Sequence, residues 1–305
     1  MTKLLSSTRG SMMGIAILMV IVYHAACCNL PMGAFTQVAN YGLIGVDIFM
    51  LFSAYGLCYS INKKKLSEFY KRRYVRVLPL YLVLVCSVLI HKALMRGGVN
   101  LTDAVGASTT FFLWGLGDIF VDWYLTAILY FYLLFPLFYK VISKGGVIAY
   151  ILLSVPFLLA AWYLPTTWFQ DSALCRVPIF LAGILIYVAK KKWLAVSLIL
   201  SYFFLLTCYS YVTGNVCLTY YVAPFVICLL IALTQFVNKV GKLKAVLEFV
   251  GKYTLELYVA NCIAMKLVSM VDGVIAKYVV YYGGILLLAR ILGWLNRRMY
   301  DILKG

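Results

Sequence analysis

From position 12 to position 296 the chain repeats one pattern: a mostly apolar run about as long as a bilayer is thick, then a short polar connection. The runs fall at roughly 12–30, 41–61, 74–95, 119–140, 147–164, 174–189, 193–211, 217–236, 246–270 and 274–296, against the about 20 residues a membrane-crossing helix needs. Hydrocarbon offers no water to backbone N–H and C=O groups, so such runs must pair their own as helices. The sequence therefore predicts an all-α, polytopic integral membrane protein with about ten transmembrane helices, in one membrane domain over 1–305. The stretch 97–118 reads as a loop or a shallow re-entrant piece. Composition agrees: 65% of residues are hydrophobic and 12% charged, and the mean hydropathy is +0.96, where soluble domains carry about 25% charged residues. Lys3 and Arg9 before an apolar run also suit a signal peptide, but the runs that follow favour a first transmembrane helix.

The charge sets the orientation. Lys and Arg cluster at 3–9, 63–76, 140–144, 190–192, 239–252 and 297–304, whereas the alternate connections carry Asp103, Asp118, Asp122, Asp171 and Asp272. Basic residues concentrate in cytoplasmic loops, so both termini are expected in the cytoplasm and the protein in the cell (inner) membrane. The net charge of +17 then reflects this bias and attraction to the anionic lipid bilayer, with no nucleic-acid partner. The nine cysteines form no CxxC pair and no metal spacing. Cys27, Cys28 and Cys217 could share one membrane face, where a disulfide is compatible with the spacing. "NLT" at Asn100 is a short glycosylation sequon.

Polar residues inside such runs cost free energy unless they have a partner or a task. His24 lies near the outer end of the first run, and Asp47 lies at similar depth in the second. Adjacent antiparallel helices could bring them together, the carboxylate fixing one ring nitrogen and leaving the other as a base. The plainer alternative is a buried pair that locks two helices. Arg176 and Asp122, with Trp123, sit near outer helix ends, where they either mark the interface or line an outward-facing polar pocket. Glu256 and Asn261 are deeper and suit either substrate contact or hydrogen bonds between helices. Arg72, Arg73 and Arg76, on a helix, lie on one side and suit phosphate oxygens; an ordinary cytoplasmic basic loop has the same composition.

Several motifs together resemble the acyltransferase 3 family of membrane acyltransferases. They are "GIAILMVIVYHA", "GVDIFMLFSAYGL", "FYKRRYVRVLPLYL", "WYLTAILYFYLLFP", "RVPIFLAGILI" and "VGKYTLELYVAN", in family order and almost end to end. The resemblance implies transfer of an acyl group, most often acetyl from acetyl-CoA or another acyl-CoA, to a hydroxyl of a cell-surface glycan or polyprenyl-linked sugar acceptor. It implies His24 as the catalytic residue, with Asp47 the candidate partner that the matching depth suggests. It gives Arg72, Arg73 and Arg76 the CoA phosphates; Asp122, Trp123, Arg176, Glu256 and Asn261, singled out by their polarity and depth, are the candidates to meet the substrate. A thioester donor is already activated, so no permanently bound cofactor or metal is expected. A homo-oligomer is compatible with such a chain.

Two positions depart from the family pattern. The usual arginine eleven residues before the histidine is Met13 here, and Arg9 stands one turn earlier, about 60° off the His24 face and about 22 Å below it. Asn261 stands where the family often has histidine; it can hydrogen-bond but cannot titrate. A proton-coupled transporter using His24 and Asp47, and an inactive family member acting as a scaffold, are the alternatives. With Gly305 closely following the last run, no fused domain is expected to relay the acyl group.

Overall fold

The computed structural model describes residues 2–63, 65–214 and 218–304; Lys64 and Cys217 lie outside them. The fold is all-α, with no strand among the described residues. The helices are α1 (Thr2–Cys27), α2 (Phe35–Asn40), α3 (Ile44–Ile61), α4 (Leu66–Arg96), α5 (Leu101–Thr109), α6 (Trp123–Tyr163), α7 (Trp168–Leu174), α8 (Val177–Val188), α9 (Lys192–Thr213), α10 (Leu218–Val237), α11 (Gly241–Lys252), α12 (Thr254–Val268), α13 (Val274–Tyr278) and α14 (Gly284–Lys304).

Among the described residues, 8 helical stretches are long and apolar enough to cross a bilayer, against the about ten expected. Two places account for the difference. At 41 residues α6 would be about 62 Å long if straight, but Gly146 interrupts it with φ 56° and ψ −132°, a backbone that side chains disfavour. The rings of Phe138 and Phe157 stand 6.2 Å apart, where a straight helix would separate them by about 28 Å. α6 is therefore two helices, 123–145 and 147–163, folded back at Gly146, and they match two of the expected runs. The expected run 246–270 is instead broken between α11 and α12, and α12 has only 15 residues.

The stretch 97–118 is a small folded piece rather than a bare loop. Asn100 caps α5 by accepting from the Asp103 N–H at 2.8 Å, and Asp103 returns the bond to the Asn100 N–H at 3.2 Å. Lys92 reaches Asp103 at 2.7 Å, and the Asp118 N–H donates to the same carboxylate at 2.9 Å. The Lys92 ammonium holds the Asp103 carboxyl below the usual carboxylate range.

The packing separates into two units. The first takes Met1–Met19, Leu43–Phe69 and Tyr130–Lys252; the second takes Val20–Gly42, Tyr70–Leu129 and Tyr253–Gly305. In the first, α3 and α8 pack together and are buried along most of their length, as helices apolar all round should be. Beside them α1 touches α11 backbone to backbone. A Cβ at Gly14 would stand 2.2 Å from the Leu247 carbonyl oxygen, and one at Gly251 2.3 Å from that of Gly10. Gly10 and Gly14 are one turn apart, the spacing that lets helices approach closely in lipid. In the second unit α12 packs on α14. A π-helical turn, Val279–Gly283, precedes α14 and buries Tyr281 completely.

Candidate active site

His24 lies in the last turn of α1, Asn261 on α12, and Tyr281 in the π turn, all within the second unit. The Asn261 amide bridges the other two. Its nitrogen is 2.5 Å from His24 Nδ1 and its oxygen 2.6 Å from Tyr281 Oη. Tyr281 Oη also stands 2.7 Å from the Ile21 carbonyl oxygen. Asn261 and Tyr281 are fully buried, while the residue His24 as a whole is half-buried. Tyr258 presents its ring edge to His24, with centroids 6.4 Å apart.

Behind this centre Asp122 is buried and hydrogen-bonded. It stands just before α6, where one carboxylate oxygen accepts the Leu125 N–H at 2.6 Å in the manner of an N-cap. The other accepts the Tyr258 O–H at 2.8 Å, and the Cys262 thiol lies 3.9 Å from it. Trp123 is buried against the Tyr124 ring. Glu256 accepts from the Asn296 amide at 2.8 Å and so ties α12 to α14. Asp122 thus ties the start of α6 to α12, as Glu256 ties α12 to α14.

The first unit contains a second polar centre. Arg176 Nε lies 3.1 Å from Asp47 Oδ1, and the two side chains are 0% and 1% exposed. The same guanidinium donates to the Ser172 carbonyl at 2.9 Å and stands 4.1 Å from the Tyr220 ring centroid. Arg176 is thus buried and paired rather than snorkelling to the interface. Within its own unit His24 Nδ1 meets Asn261, and within its own unit Asp47 meets Arg176.

Arg72, Arg73 and Arg76 occupy one side of α4, with Arg72 and Arg76 exposed. Arg9 is exposed on α1, its guanidinium 3.6 Å from where a Gly56 Cβ would be. Cys27 and Cys28 form no disulfide with each other. Sequence reasoning missed Tyr258, Tyr281, Ser172, Tyr220 and Asn296. With 25 tyrosines in the chain, a single buried one gives no signal.

An imidazole with one nitrogen engaged by a fixed amide can exchange a proton through the other. Exposed arginines one turn apart can grip phosphate. The family model for acyltransferase 3, described as an acyltransferase domain, matches residues 12–295, nearly the whole chain. No curated protein and no solved structure matches.

Proposed function

Because the chain belongs to the acyltransferase 3 family, we propose that it is the membrane enzyme that moves an acyl group, acetyl first, from cytoplasmic acyl-CoA to a hydroxyl of a cell-surface or lipid-linked carbohydrate. The observation that carries this reading is the His24 ring, held by the Asn261 amide at one nitrogen with the other left for the acceptor. In this reading His24 takes the proton of the acceptor hydroxyl as its oxygen attacks the thioester carbonyl. The carbon–sulfur bond breaks, CoA leaves as thiolate, and the proton on His24 passes to that sulfur. Arg72 and Arg76 hold the CoA phosphates as guanidinium–phosphate pairs, with Arg73 beside them and Arg9 in the role of the arginine missing at Met13. Asp47 and Arg176 serve the scaffold, since each occupies the other.

The test is turnover and acetyl-CoA binding, measured in parallel on purified protein. His24→Ala should abolish transfer and leave binding within about twofold, because the phosphates are assigned to α4. The double variant Arg72→Ala/Arg76→Ala should weaken binding by at least about tenfold, as loss of two charge-assisted contacts requires. Full turnover by His24→Ala would refute the catalytic role.

A further inference from the structure

We propose that Asn261 and Tyr281 are positioning residues that hold His24 as the tautomer protonated on Nδ1, so that Nε2 is its basic nitrogen. The functional meaning rests on the reading of His24 as a base; the tautomer itself does not.

The argument is a count of protons. Tyr281 has one hydroxyl proton and two oxygen neighbours, the Ile21 carbonyl at 2.7 Å and the Asn261 amide oxygen at 2.6 Å. With the amide oxygen turned toward Tyr281, one of these short oxygen–oxygen contacts holds no proton, whichever way the hydroxyl points. In a buried place such a bare contact is repulsive and leaves an acceptor unsatisfied. A half-turn of the amide exchanges its nitrogen and oxygen, which occupy nearly the same space. Tyr281 then donates to the Ile21 carbonyl, and the Asn261 N–H donates to Tyr281 Oη. The amide oxygen now faces His24 Nδ1, which must be the donor across that contact. Every short contact in the chain Ile21–Tyr281–Asn261–His24 holds one proton.

The consequence falls on the other side of the ring. A neutral imidazole protonated at Nδ1 carries its lone pair on Nε2, where an acceptor hydroxyl can be deprotonated. In the opposite amide orientation Nδ1 would accept and Nε2 would carry the proton, and the ring could only donate there. Asn261 thus orients the ring as a carboxylate partner would, without adding charge to the apolar surroundings. Tyr281 in turn decides which end of the amide His24 meets. Its own position is set by the π turn, which buries the hydroxyl against α1.

The chain has two histidines, His24 and His91, so His91→Asn leaves a single ring to observe. Solid-state NMR of this full-length variant in bilayers, with 15N-labelled histidine and a pH above the histidine range, reads the tautomer without any substrate. The expected result is a protonated Nδ1 and a bare Nε2. Adding Tyr281→Phe, which frees the amide to turn, or Asn261→Leu, which removes the acceptor, should move proton occupancy to Nε2. A protonated Nε2 in the His91→Asn parent overturns the proposal, as does an unchanged Nδ1–H signal in either added variant. Turnover of His24→Ala tests the base reading separately, so either can fail alone.

Discussion

Removing the Arg176 guanidinium should harm this protein more than removing Arg176 and Asp47 together. In Arg176→Met the side-chain volume is largely kept, but the Asp47 carboxylate stays buried without the cation 3.1 Å away. Breaking one side of such a pair costs about 3–5 kcal/mol. The variant also loses the bond to the Ser172 carbonyl and the contact with the Tyr220 ring, together about 1–2 kcal/mol. Asp47→Leu alone should cost a similar 3–5 kcal/mol by stranding the guanidinium. In the double variant neither charge is stranded, so the loss comes down to neutral contacts such as those with Ser172 and Tyr220, and stability should return to within about 2 kcal/mol of the parent. The assay is equilibrium unfolding in mixed micelles, followed by tryptophan fluorescence across the double-mutant cycle. A double variant no more stable than Arg176→Met would refute the reasoning, because the cost would then not come from an orphaned charge.

Two further outcomes follow from packing and from protonation. Gly14→Leu should lower stability by about 1–3 kcal/mol, the usual cost of overpacking, because its Cβ would meet the Leu247 carbonyl at 2.2 Å; a melt unchanged from the parent would contradict the α1–α11 contact. Asp103 has a folded pKa below its unfolded value of about 3.9, so its contribution is fully present above that pH and is lost as pH falls through the folded value. The stability gap between parent and Asp103→Asn should therefore stay constant from pH 7 to about 5 and close below about 4; a gap independent of pH down to 3 would show that Asp103 is not held by Lys92.

The membrane-spanning character of the chain could be read directly, because a run of apolar residues has few other places to go. Even the hairpin at Gly146 was present as two adjacent runs, though not the backbone conformation that separates them. The site was harder. Distance along a helix gives the depth of His24 and of Asp47, but not the rotation about the helix axis, and rotation decides which neighbour within its unit each side chain meets. Asn261 stood out as a polar residue in an apolar run, and its partner did not. Tyr281 sits in a π turn, where one extra residue shifts the helical register, so a period of 3.6 assigns it to the wrong face. Gly10 and Gly14 were visible as small residues one turn apart, yet only the approach of α11 gives that spacing its meaning.

The order in which the parts of the centre are made has its own consequence. His24 and Asn261 are separated by 237 positions. At a synthesis rate of about 5–20 residues per second, the ring waits roughly 12–47 s for the amide that orients it. Tyr258 likewise follows Asp122 late, 136 positions on. During that interval the first helix rests in the membrane with its imidazole lacking this partner, and a chain interrupted before α12 keeps the histidine without the residues that would set its tautomer. The His24–Asn261–Tyr281 centre is therefore among the last things this protein completes during its insertion.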